Sequence, residues 1–198
     1  MAAVFSSPNP ETSHENTNLS LYRNIMSYAI EDKNSELLAV IMSSWIEDHG
    51  ALPGFLGLDT QEFQTLLNDY FPGFKINENI RKDQVCDSER LPEKDDLINL
   101  LNRYRANSTD SEKFVVNIVT AACMGSNHLW QDLGFWNREQ LSKMIQVNFP
   151  VLAEKNNKNM KWKKFLYKRL CEEEGIYTCR SPSCEVCVDY TVCFGSEE

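Results

Sequence analysis

Leu37-Leu38-Ala39-Val40-Ile41-Met42-Ser43-Ser44-Trp45 is the stretch on which the fold turns. Its apolar residues Leu37, Leu38, Val40, Ile41 and Trp45 predict an apolar helix that stops near Gly50. Just beyond, Asp59-x-x-Glu62 has the form of a capping box. Phe63, Leu66, Leu67 and Tyr70 give the following helix one apolar face, and Pro72 is its expected stop. The whole pattern returns at a constant offset of 78 residues. Val115, Val116, Ile118 and Val119 stand in the places of Leu37, Leu38, Val40 and Ile41, and Asn137-x-x-Gln140 in that of the capping box. Leu141, Met144, Ile145 and Phe149-Pro150 match Phe63, Leu66, Leu67 and Phe71-Pro72. The expectation is an all-α helical bundle built on a duplicated helical unit, residues 19–72 and 97–150. Chance likeness between apolar helices that end at proline is the competing explanation. No stretch alternates with period two for long enough to suggest a sheet.

The rest of the chain divides around this core. Residues 1–17 are rich in Ser, Pro, Asn and Thr and read as a disordered N-terminal tail, and residues 76–91 as a polar linker. Helical signal resumes over residues 92–106, with Leu97, Leu100, Leu101 and Tyr104 on one face. A last helix is expected over residues 159–174, with Trp162, Phe165, Leu166 and Leu170 buried and Gly175 as its stop. The predicted organisation is thus a tail (1–17), a helical domain (18–175) and a cysteine-rich metal-binding segment (176–198).

That final segment holds Cys179, Cys184, Cys187 and Cys193, spaced C-x4-C-x2-C-x5-C. Core packing does not explain four thiols so close together. The first two spacings match the start of plant-type iron–sulfur ligation, in which neighbouring thiolates wrap one side of a cluster. Zinc sites more often use two short C-x2-C pairs with a long spacer, and this segment has one such pair. The segment therefore reads as an iron–sulfur loop first and a structural zinc clamp second. A thiol redox pair at Cys184 and Cys187 is a third reading, but no thioredoxin-like βαβ pattern accompanies it.

The net charge of −9 argues against nonspecific nucleic-acid binding. No apolar run approaches a membrane span, and residues 1–17 lack the basic and apolar regions of a secretory signal. A cytoplasmic protein is expected, in which clustered thiols bind metal rather than form disulfides. The P-loop, Rossmann, HExxH and nucleophile-elbow patterns are missing, which weighs against a conventional enzyme.

Two further features could carry chemistry. Cys123 and His128 flank the turn Met124-Gly125-Ser126-Asn127. On spacing alone His128 reads as a helix-end residue and Cys123 as a small buried one, although imidazole is also a common metal ligand. Residues 155–169 contain seven Lys or Arg and no acid. Lys161, Lys164 and Lys168 are spaced to share one face of the last helix, where they would attract an oxyanion or an acidic partner, or simply cover apolar surface with their stems.

Asn127-His128-Leu129-Trp130-Gln131-Asp132-Leu133-Gly134, then Phe149-Pro150-Val151-Leu152-Ala153, then Met160-Lys161-Trp162-Lys163-Lys164-Phe165 and the cysteine segment ending in Cys193-Phe194-Gly195 together resemble the NifQ family of nitrogen-fixation proteins. The likeness is specific from residue 121 to 195 and looser over residues 19–105. It implies an iron–sulfur protein, not an enzyme, that binds molybdenum and donates it for synthesis of the nitrogenase iron–molybdenum cofactor. The cluster would be held by Cys179, Cys184, Cys187 and Cys193. The implied partners are the cofactor-assembly scaffold and the nitrogenase iron protein, with molybdate or a molybdenum–iron–sulfur species as cargo. His128, Cys123, Lys161, Lys164 and Lys168 are the auxiliary candidates for metal or molybdate contact.

Overall fold

The computed structural model describes residues 10–76, 91–173 and 190–194. All regular structure among them is helical. The first half contains α1 (Pro10–Met26), α2 (Ser35–Ile46), a 3-10 turn (Gly54–Gly57) and α3 (Thr60–Tyr70). The second contains α4 (Leu91–Arg103), α5 (Glu112–Cys123), the short α6 (Leu129–Asp132), α7 (Arg138–Asn148), α8 (Pro150–Lys155), α9 (Trp162–Glu173) and α10 (Tyr190–Phe194). None of the described helices is long and apolar enough to cross a membrane.

The 78-residue echo holds in three dimensions. Asp59 and Asn137 cap α3 and α7, accepting from the N–H groups of Glu62 at 2.7 Å and Gln140 at 3.0 Å. Phe71 and Phe149 end those helices with nearly the same backbone, φ/ψ −137°/56° and −135°/57°. Both rings are fully buried, a contribution of roughly 1.5–3 kcal/mol each. The carbonyls of Tyr70 and Asn148, again equivalent positions, accept from Ile30 N–H at 3.0 Å and Ala106 N–H at 2.9 Å. Each unit therefore folds a helix pair and ties a later helix, α3 or α7, back to the loop between them.

Polar contacts join the units where α2 and α5 begin. The Asn34 and Asn148 amides donate to each other at 2.8 Å, and Asn34 also donates to Ser111 Oγ at 2.8 Å. Around this junction Leu38, Ile41, Leu97, Leu100, Val116 and Val119 form one continuous core.

Two boundaries differ from expectation. α1 starts at Pro10, inside the stretch read as a tail; proline suits a first helical turn because its missing N–H has no partner there. Residues 1–9, and most of the polar linker, lie outside the described residues. Pro150 was expected only as a stop. It also opens α8, with Phe149 serving as the last cap of α7 and the first of α8.

Candidate functional site

The site is assembled where the second unit meets α9. α5 ends at Cys123, and the turn from Gly125 to His128 leads into α6. Gln131 Oε1 accepts the His128 N–H at 3.2 Å, closing the helix start. The carboxylate of Asp132 is fully buried and folds back under the turn. Its Oδ2 accepts from Asn127 N–H at 3.0 Å and its Oδ1 from the Asn127 amide at 3.2 Å. A Cβ on residue 125 would lie 2.5 Å from this carboxyl group, so the turn can close only over glycine.

Asp132 also reaches α9. Lys163 Nζ is paired with Asp132 Oδ2 and donates to Gly125 O at 2.8 Å. On the other side of α6, Ala51 N–H donates to Asp132 O at 2.9 Å. Gly50, at φ +78°, passes so close that a Cβ there would lie 2.9 Å from that same oxygen. One residue thus ties the first unit, the His128 turn and α9 together.

Between the turn and α9 lies an open cleft of about 550 Å³. His128, Lys161, Lys163 and Lys164 line it, with Ser126 and Asn127 at one edge and Val192 of α10 at the other. α10 is fastened by its backbone: Lys161 N–H donates to Cys193 O at 2.8 Å. Cys193 itself is half-buried. A cysteine thiol belongs to the soft-donor set that an iron–sulfur cluster needs. Cys179, Cys184 and Cys187 lie outside the described residues. Among the described residues no three His, Cys, Asp or Glu side chains come together to hold a metal ion.

The auxiliary candidates separate. His128, Lys161 and Lys164 share the cleft. Lys168 lines a second groove of about 350 Å³, with Lys155, Lys158, Arg169 and Phe194, and lies 3.7 Å from Glu172. Lys164 and Lys168 lie one helical turn apart on α9 and line different grooves. Cys123 is buried in the core. Burial pushes its thiol up to about 12; Lys163 acts to lower it and Asp132 to raise it. Sequence reading missed Asp132 and Lys163 as structural residues of the site. They are 31 positions apart, and no helical spacing links them.

The model of the family described as NifQ matches residues 37–195, from α2 through the cleft to all four C-terminal cysteines. The chain belongs to the NifQ family. It is 41% identical over 169 residues to "Protein NifQ" of Azotobacter vinelandii, covering 79% of this chain and 86% of that one. It is 37% identical over 142 residues to "Protein NifQ homolog" of Sinorhizobium fredii, covering 72% and 61% of the two chains. With "Protein NifQ" of Rhodobacter capsulatus the identity is 30% over 148 residues, covering 75% and 80%. No solved structure matches the chain. NifQ membership implies a role in nitrogen fixation, and it supports the resemblance read from the residues around His128 and the cysteine segment.

Proposed function

We propose that this NifQ-family chain is a molybdenum carrier and not a turnover enzyme. It binds molybdenum at an iron–sulfur cluster held by Cys179, Cys184, Cys187 and Cys193, and donates it for synthesis of the nitrogenase iron–molybdenum cofactor. The receiving partners in this reading are the cofactor-assembly scaffold and the nitrogenase iron protein, in the cytoplasm. The observation that carries the proposal is the 2.8 Å bond from Lys161 N–H to Cys193 O, which sets the last cysteine of the segment beside a lysine-lined cleft. Thiolates and bridging sulfides are soft donors suited to a sulfur-ligated metal. When bound, the cluster would supply sulfide and open coordination to the molybdenum. The chain's own part is to hold the thiolates and to keep positive charge at the entrance.

The test is the iron, acid-labile sulfide, molybdenum and zinc content of the chain, purified without oxygen from cells supplied with molybdate. Iron and sulfide in several-fold excess over zinc, molybdenum present, and all three lost when Cys184 and Cys187 are replaced by alanine, is the expected result. One zinc per chain without sulfide or molybdenum overturns it and leaves a helical interaction module clamped by structural zinc.

A further inference from the structure

The cleft between the His128 turn and α9 has a donor set unlike that of the cysteine segment. Its described lining carries ammonium, imidazole, amide and hydroxyl groups and no carboxylate, and the neighbouring Asp132 is buried and already paired with Lys163. Lys163 and Asp132 cancel, so the charge facing the cleft comes from Lys161 and Lys164. Lysine ammonium groups are compact, strongly hydrated donors that suit hard, charge-dense oxyanions. Thiolates prefer soft, sulfur-ligated metal. At about 550 Å³ the cleft is within the range of small-ligand sites and has room for a hydrated oxyanion beside Val192. In a chain of net charge −9, such a positive concavity focuses anions locally.

We propose that this cleft is an oxyanion site distinct from the thiolates: it takes a tetrahedral dianion, intact, on Lys161 and Lys164, and Asp132 is the positioning residue that fixes their placement against the His128 turn. The choice of molybdate among such dianions rests on the carrier reading above. No bond to the central atom forms or breaks in this step, and the anion is held by charge and hydrogen bonds alone. Asp132 acts through Lys163 and Asn127, and does not touch the anion. A buried ion pair adds little to stability compared with an apolar replacement, which leaves placement as its contribution here.

The placement role has a signature of opposite sign to a charge effect. Replacing Asp132 by asparagine removes negative charge beside an anion site, so electrostatics alone would tighten anion binding. If Asp132 positions the lysines and the turn, binding loosens instead.

The experiment is equilibrium dialysis of the full chain, purified without oxygen, against radiolabelled molybdate, sulfate or phosphate at fixed ionic strength. The double variant Lys161→Gln with Lys164→Gln is expected to bind molybdate at least about tenfold more weakly while iron and sulfide contents hold at the wild-type level. Asp132→Asn is expected to lose about tenfold as well, with a far-UV circular dichroism melt checking that it folds. The variant of Lys161 and Lys164, half-buried and exposed respectively, decides the matter should Asp132→Asn not fold. Unchanged affinity in the lysine variant, or no oxyanion binding by the wild type, overturns the cleft. Tighter binding by Asp132→Asn overturns the positioning role. Binding lost with the Cys184→Ala, Cys187→Ala cluster but kept in the lysine variant overturns the cleft and leaves the carrier reading standing. Equal affinity for sulfate, phosphate and molybdate, weakened by the lysine variant, upholds the cleft and counts against the carrier reading.

Discussion

Lys33 Nζ lies 2.6 Å from Glu112 Oε1, joining the start of α2 to the start of α5 across the two repeated units. The Glu112 side chain is fully buried and accepts from Lys33, from the N–H groups of Asn107, Ser108 and Thr109, and from the Ser108 hydroxyl, with the Arg105 guanidinium 3.7 Å away. Burial alone would raise its carboxyl. The Lys33 ammonium and the donors from Ser108 and Asn107 outweigh that and lower it from 4.5 to about 2.

A lowered carboxyl stabilises the fold fully above its ordinary value and loses that contribution as pH falls from 4.5 toward about 2. The shift corresponds to roughly 3 kcal/mol. Wild-type stability in urea is expected to drop over this window, and Glu112→Gln to remove most of the drop while starting from a lower stability near neutral pH. An equal acid slope in both proteins would assign the effect to other groups.

Gly125→Ala tests the turn beneath His128. The new methyl group would stand 2.5 Å from the Asp132 carboxyl, so either the turn or the Asp132–Lys163 pair must move. The expected cost is about 1–3 kcal/mol. Amide exchange at Asn127, whose N–H is held by Asp132, should accelerate more than exchange in α2 or α3. A uniform change across the chain would contradict a local role.

Cys123 should be silent to alkylating reagents. Its thiol, pushed up to about 12 by burial, stays protonated near neutral pH, and the thiolate is the reactive form. Mass spectrometry after brief iodoacetamide treatment of the native chain is expected to find Cys123 unmodified while the half-buried Cys171 is modified. Rapid labelling of Cys123 would mean that the end of α5 opens readily.

Much of this was legible in the sequence because it is local or periodic. The caps at Asp59 and Asn137 and the terminal pairs Phe71-Pro72 and Phe149-Pro150 are short-range signals, and their repetition declared the two units. The buried face of α9 followed from Trp162, Phe165 and Leu166 in the same way, while Leu170, expected on that face, is only half-buried. What stayed hidden depends on how elements pack. Asp132 and Lys163 meet only because α9 crosses the turn before α6, and nothing in either segment announces a partner. Equivalent positions of the units also diverge, with Trp45 in the first against Cys123 in the second and Gly50 against His128. Periodicity finds the shared scaffold and is blind to the side chains in which the copies differ. Of the four cysteines read from spacing, only Cys193 falls within the described residues.

The bond from Lys161 N–H to Cys193 O spans the beginning of α9 and the far side of the cysteine-bearing segment, whose near side leaves from the end of the same helix. Both ends of that segment are therefore tethered by ordinary protein contacts. Bringing the ends of a chain together is an entropic cost that rises with the logarithm of its length. Here the fold of the helical body itself meets that cost. The ends of α9 and α10 are thereby held at a set separation by the helical body alone.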